Sequence, residues 1–257
     1  MKVVLLAGGL GTRLSEETQV KPKPMVEIGG QPILWHIMQM YARHGLTDFI
    51  VCLGYKGYFV KEYFANYVLH RSDFSVDLRT GALEYVGDSS LPPWRVTLVD
   101  TGPTTMTGGR IRRIGHLLPA DEPFCMTYGD GVSDVDITAL LARHKEAALE
   151  ATVTTVLPAG RFGATVIEDG KVAKFEEKPA GDGGYINGGF FVLERSVLDR
   201  IAGDDTIWER EPLEGLAADG QLAAYRHDGF WQPMDTLRDR TQLEQLWSEG
   251  RAPWKTW

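Results

Sequence analysis

Residues 6–25 read Leu-Ala-Gly-Gly-Leu-Gly-Thr-Arg-Leu-Ser-Glu-Glu-Thr-Gln-Val-Lys-Pro-Lys-Pro-Met, and this run decides the fold. It leaves a short apolar stretch, Lys2–Leu6, that reads as a buried parallel strand. Gly8, Gly9 and Gly11 allow positive φ and close backbone approach. A glycine turn at the carboxyl end of a first strand can aim backbone N–H groups at an anion. Arg13 and Lys23 add fixed positive charge, and the prolines around Lys23 stiffen its backbone. The ligand that suits this is a polyphosphate. The run is not a Walker loop, because no Gly-Lys-Ser/Thr follows, and its glycine spacing is wrong for a dinucleotide fingerprint.

Outward from this turn, strands and helices alternate. A helix is expected over Pro32–His44, with Gly45 as its stop. A strand follows at Asp48–Leu53, then a helix from Tyr58 to about His70. Ser75–Val86 reads as a hairpin turning at Thr80-Gly81. Val96–Val99 and Pro123–Thr127 are further strands, and Ile137–Leu149 is an amphipathic helix capped from Asp134 or Asp136. The second half is richer in strands: Thr152–Leu157, Ala164–Glu168, Lys171–Glu176 and Gly189–Leu193. A last helix spans Thr236–Trp247. The class is α/β, a doubly wound, mostly parallel, Rossmann-like sheet with added strands and hairpins. No linker is visible, so 1–257 reads as one domain. Residues 1–135 form its mainly nucleotide-binding half and 136–257 its mainly sugar-phosphate-binding half.

Composition narrows the partners. The 257 residues carry a formal net charge of −8, with 43% hydrophobic and 24% charged residues. That is ordinary for a soluble globular protein. The acidic balance argues against nucleic acid, and it requires local positive charge to hold an anionic substrate. No signal peptide or membrane-length apolar run is present, so a membrane partner is not expected. Cys52 and Cys125 lie in apolar strands and read as buried free thiols, which suits a cytoplasmic protein.

Several other segments carry chemistry. Asp130, in Tyr-Gly-Asp-Gly after a strand, is placed to hold Mg²⁺ against phosphate oxygens, or is a turn aspartate. Asp235 is a second Mg²⁺ candidate, or a helix N-cap. Lys178, in Glu177-Lys178-Pro179, is a point charge suited to a sugar phosphate, or a solvated lysine. Asn187 can serve sugar hydroxyls or cap a turn. Gly163 lets backbone meet a sugar ring. Thr104 to Arg110 form either a base pocket, with small hydroxyls and one guanidinium, or a Gly-Gly turn with an exposed arginine. The tyrosines and tryptophans read first as core.

Taken together and in order, GGLGTRL (8–14), KPKPM (21–25), TMTGGR (105–110), YGDG (128–131), EEKP (176–179), INGGFFVL (186–193) and FWQPMDT (230–236) resemble the sugar-1-phosphate nucleotidyltransferases. That superfamily has a proline after Arg-Leu. Ser15-Glu16-Glu17-Thr18 stands there instead, as in its cytidylyltransferase branch. The resemblance implies CTP and glucose 1-phosphate as substrates, Mg²⁺ as cofactor, and CDP-glucose for dideoxysugar synthesis as product. It implies that Leu6, Ala7, Gly8, Gly9, Gly11, Thr12 and Arg13 bind the nucleotide and that Lys23 contacts its phosphates. Thr105 and Arg110 fall at the base, with Gly129 nearby. Asp130 and Asp235 hold the metal, Lys178 holds the sugar phosphate, and Glu177, Asn187 and Gly163 meet the sugar. Arg13, Lys23, Asp130 and Asp235 are the catalytic set. The resemblance also implies a homo-oligomer, a hexamer. Three alternatives remain: the same reaction with UTP or dTTP, a non-catalytic nucleotide-sugar sensor, and an NAD-binding dehydrogenase, against which the glycine spacing and KPKPM argue.

Overall fold

A computed structural model describes residues 1–9, 21–87, 91–158, 164–168, 171–176 and 184–257. The first strand, β1 (Lys2–Ala7), alternates its side chains between two cores. Val3, Leu5 and Ala7 enter one cluster, and Val4 and Leu6 the other. The period-2 geometry of a strand makes a continuously apolar run cover both faces of a sheet. β4 (Asp48–Leu53) does the same, with Phe49, Val51 and Leu53 against Ile50 and Cys52.

The other elements, in chain order, are β2 (Glu27–Ile28), β3 (Gln31–Pro32), α1 (Ile33–Ala42), α2 (Gly57–Ala65), α3 (Tyr67–Arg71), β5 (Asp73–Val76), β6 (Leu83–Val86), β7 (Arg95–Asp100), α4 (Thr107–Arg113), β8 (Phe124–Tyr128), β9 (Gly131–Ser133), α5 (Ile137–Ala147), β10 (Ala151–Val156), β11 (Ala164–Glu168), β12 (Lys171–Glu176), β13 (Ile186–Leu193), α6 (Glu211–Ala218), β14 (Leu222–His227), β15 (Trp231–Pro233) and α7 (Leu237–Ser248). Seven strands form one sheet in the order β14-β10-β13-β8-β1-β4-β7. Only β13 runs antiparallel to its neighbours. Buried residues of α1, α2, α5 and α7 pack on one face, and those of α4 and α6 on the other. This is the doubly wound α/β sheet expected, and it runs through both halves of the chain.

Local chemistry moves some boundaries. The helix expected over 58–70 is two helices broken at Asn66, whose side-chain amide donates to Glu62 O at 3.0 Å. That local bond competes with helix continuation. Asp136 is the cap of α5, accepting from Ala139 N at 3.0 Å, and Ala148 ends the helix at φ +50. The hairpin turns at Gly81, at φ +72. The elements that fall outside the sequence reading are α4 and α6, the edge strand β14, and the short pairs β2–β3 and β9–β15. Cys52 and Cys125 are both buried and free, and burial pushes each thiol up to about 12. Trp208 and Trp254 are core residues. No helix among the described residues is long and apolar enough to cross a membrane.

Candidate active site

The carboxyl ends of β1 and β8 open into a cavity of about 400 Å³. Ligand sites of open α/β sheets lie at this end. Ten of the residues singled out by sequence line it: Leu6, Ala7, Gly8, Gly9, Lys23, Thr105, Arg110, Gly129, Asp130 and Asp235. Gly11, Thr12, Arg13, Gly163, Glu177 and Lys178 lie outside the described residues.

Lys23 heads a short 3-10 turn, Lys23–Met25, whose Pro24 and Met25 are buried and anchor it. Its Nζ donates to Asp130 Oδ2 and to Asp235 Oδ1, each at 2.7 Å. Burial works to lower the ammonium pKa, but the charge and hydrogen bonds of Asp130 and Asp235 outweigh it and hold the pKa above the usual lysine value. Lys21, two residues earlier, points elsewhere and pairs with Glu27 at 2.8 Å.

Two features bring the carboxylates together. β9 pairs antiparallel with β15, with Gly131 opposite Pro233, and Met234 N donates to Asp130 O at 2.8 Å. Secondly, α7 is capped by Thr236 and not by Asp235. The Thr236 hydroxyl and the Asp239 carboxylate form a capping box, and Asp239 Oδ2 also accepts from Asp235 N at 3.0 Å. The Asp235 carboxylate therefore turns to Lys23 and not to its own helix. Two carboxylates on one ammonium are a donor set that fits a cation. Among the described residues no cluster of three or more metal-ligating side chains exists. Mg²⁺ needs only one or two protein carboxylates, completing its shell with phosphate oxygens and water.

Arg110 departs from the reading of an exposed turn arginine. It lies on α4 and is 5% exposed. Its Nη1 donates to Leu53 O at 2.9 Å, Thr101 Oγ1 at 2.7 Å and Gly102 O at 2.9 Å, and its Nη2 donates to Gly8 O at 3.1 Å. The exposed turn arginine is thus a buried clamp on the glycine turn. Gly8 must lack a side chain for this, since a Cβ there would lie 2.2 Å from the guanidinium carbon. Gly108 and Gly109 serve packing: a Cβ on either would meet the backbone of Thr206 or Asp204 at 2.8 Å or less. They form helix where the sequence suggested a turn.

Asn187 caps its own turn, with Oδ1 accepting from Gly189 N at 2.8 Å. It does not line the cavity. Tyr128, Ile207 and Glu209 do, and sequence reasoning missed them, while Thr107 lines it from within the Thr104–Arg110 segment. Tyr128 and Thr107 lay inside motifs already quoted; Glu209 lay in none. Burial, followed by the neighbouring Glu209 carboxylate, raises the Tyr128 phenol well above its ordinary pKa.

A mostly parallel sheet with Gly8, Gly9 and a lysine–carboxylate cluster lining a cavity at its carboxyl end defines a doubly wound α/β protein with a charged site. The nucleotidyl transferase family model matches residues 2–232, and the chain belongs to that family. The glucose-1-phosphate cytidylyltransferase of Salmonella typhi is 61% identical over 257 residues, covering 100% of both chains. A probable glucose-1-phosphate cytidylyltransferase of Bacillus subtilis is 43% identical, again over 100% of both. The crystal structure of HddC from Yersinia pseudotuberculosis superposes with a TM-score of 0.69 at 23% identity, covering 96% of this chain and 99% of that one, a likeness of fold.

Proposed function

We propose that this chain transfers a cytidylyl group from CTP to α-D-glucose 1-phosphate, giving CDP-glucose and pyrophosphate. It is then a glucose-1-phosphate cytidylyltransferase. The observation that carries the reading is the Lys23–Asp130–Asp235 cluster, set beside a glycine turn in a chain 61% identical end to end to the Salmonella typhi enzyme of that name.

The chemistry follows from charge. A phosphate oxygen of the sugar phosphate attacks the α-phosphorus in line, and the bond to the pyrophosphate oxygen breaks. The attacking oxygen is already ionised, so no general base is required. The protein has to align two anions and neutralise them. Leu6 to Gly9 and Gly11 to Arg13 bind the nucleotide, and Lys23 contacts its phosphates. Thr105 and Arg110 border the base, with Gly129 beside them. Lys178 holds the sugar phosphate, and Glu177, Asn187 and Gly163 meet the sugar. Asp130 and Asp235 would hold a divalent metal, Mg²⁺, which supplies positive charge to the phosphate oxygens when bound.

The first half of the chain serves the nucleotide and the second the sugar phosphate. The protein works as a homo-oligomer, a hexamer. The β5–β6 hairpin supports self-association, for it exposes Phe74, Val76, Leu83, Tyr85 and Val86, and a lone two-stranded hairpin is marginal in water. Its place is the cytoplasm, where buried thiols such as Cys52 and Cys125 stay reduced.

The test is pyrophosphate release with glucose 1-phosphate across CTP, UTP, dTTP, ATP and GTP. CTP is expected to give the highest kcat/KM. A preference for UTP or dTTP would move the chain to another branch, and no turnover with any of them would return it to a binding protein.

A further inference from the structure

Glu209 stands in the cavity wall, in the loop that joins Ile201 to α6. That loop is fastened to α4. Met106 N donates to Asp204 O at 2.9 Å, and Gly108 N donates to Thr206 O at 2.9 Å. The carboxylate itself is held at both oxygens. Oε1 accepts from the Tyr128 hydroxyl at the end of β8. Oε2 accepts from the Thr107 hydroxyl at 2.7 Å, and that hydroxyl accepts in turn from Trp208 N at 2.9 Å. Two donors from two elements therefore fix one rotamer. Each carboxylate oxygen has a second lone pair to offer.

A carboxylate is an odd lining for a cavity that takes two anions. It repels phosphate, so it has to face a donor. The phosphate-handling charge, Lys23 with Asp130 and Asp235, is a separate cluster in the wall. The same cavity is also lined by the apolar Leu6, Met106 and Ile207. The flat, uncharged part of a nucleotide is its base, and an apolar wall suits it. Among pyrimidines, cytosine carries an exocyclic amine at C4, a donor, where uracil and thymine carry an oxygen, an acceptor. Arg110 does not supply this distinction through Nη1, which already serves three protein acceptors.

We propose that Glu209 accepts a hydrogen bond from the C4 amine of cytosine and is the residue that separates CTP from UTP and dTTP. Tyr128 and Thr107 are its positioning residues. With uracil the same carboxylate meets O4, acceptor against acceptor, and the pair is rejected. A site built to take a substrate donor discriminates against an analogue that presents an acceptor at the same place. The inference rests on the cytidylyltransferase reading.

The experiment compares kcat/KM for CTP, UTP, dCTP and the triphosphate of pyrimidin-2-one riboside, which lacks the C4 amine. Wild-type protein and Glu209→Gln are measured side by side. The wild type is expected to favour CTP over both UTP and the pyrimidin-2-one. Glutamine keeps the size and one acceptor but places an amide donor in the site. Glu209→Gln should lower the CTP/UTP ratio by about tenfold or more and leave the CTP/dCTP ratio unchanged. Thr107→Val, which frees Oε2 but keeps the carboxylate, should lower the same ratio by a smaller factor and covers the case of a glutamine variant that does not fold. An unchanged CTP/UTP ratio in the variants overturns the proposal. So does a collapse of the CTP/dCTP ratio, which puts the carboxylate on the ribose. A wild type without preference for CTP sinks the function reading itself, an outcome visible before any variant is made.

Discussion

Lys23 Nζ lies 2.7 Å from Asp130 Oδ2, although 107 residues of chain separate them. The prolines on either side of Lys23 fix its backbone, and the β9–β15 pairing brings Asp235 to the same nitrogen. The cluster is therefore a product of three segments, each rigid for its own local reason.

Losing either carboxylate should damage turnover without unfolding the sheet. Asp130→Asn and Asp235→Asn are each expected to reduce kcat by at least about tenfold, on the order of 1.4 kcal/mol of barrier. EDTA should silence the wild type. Steady-state pyrophosphate release checks both, and full activity in EDTA would remove the metal from the mechanism.

The two lysines are expected to separate kinetically. Lys23→Ala should mainly weaken nucleotide turnover, while Lys178→Ala should mainly raise KM for glucose 1-phosphate. Identical defects towards both substrates would show that the roles are wrongly divided.

Gly54, outside the cavity lining, should matter as much as a residue inside it. A Cβ there would lie 2.6 Å from Gly8 O and 2.7 Å from Arg110 Nη1. Both neighbours are already bonded to each other, so neither can yield easily. Gly54→Ala is expected to lower stability by about 1–3 kcal/mol and to raise KM for CTP. Arg110→Ala should cost about as much, since it orphans buried carbonyls that each carry a desolvation penalty of about 1–3 kcal/mol. Thermal melts and nucleotide titrations provide the measurement, and unaltered melting of Gly54→Ala would disprove the clamp.

His36 makes stability depend on acid. It is fully buried among tryptophans, and its Nε2–H donates to Ile28 O at 2.8 Å, while Trp254 Nε1–H donates to its Nδ1 at 3.4 Å. Burial, opposed by the Ile28 hydrogen bond, lowers its pKa from 6.5 to about 4. Above about pH 6.5 the ring is neutral folded or unfolded, and its contribution is whole. Between 6.5 and 4 only the unfolded chain takes up the proton, so stability falls with pH by up to about 1.4 kcal/mol per unit, on the order of 3 kcal/mol in all. Denaturant unfolding at several pH values should show a steeper loss for wild type than for His36→Gln. Parallel slopes would refute the assignment.

Both thiols should be inert in the native protein. Burial raises Cys52 and Cys125 to about 12, which leaves almost no thiolate at neutral pH. A thiol reagent is expected to titrate two groups only after unfolding; a fast native phase would contradict the burial.

Most of the sheet was legible because β1, β4 and β8 are apolar along most of their length and the turns are punctuated by glycine. The chemistry-bearing positions were legible too, since Lys23 between prolines and Asp130 between glycines are local patterns. Asp235 was legible as a carboxylate, but whether it would cap its helix was not. Thr236 and Asp239 settle that through a capping box, a competition between neighbours that a motif does not rank. The helix at 107–113 was hidden because two glycines look like a turn until a second backbone packs against them.

By itself the sequence determined the doubly covered sheet, the glycine turn and the residue types at its carboxyl end, because periodicity and backbone freedom act within a few positions. Tertiary structure alone decided which distant groups meet. It placed one ammonium between two carboxylates, folded Arg110 inward onto Gly8 and Leu53, and set Glu209 against Tyr128 and Thr107. Those contacts depend on burial and on partners far away in the chain, and a hydrogen bond takes its strength and direction from both.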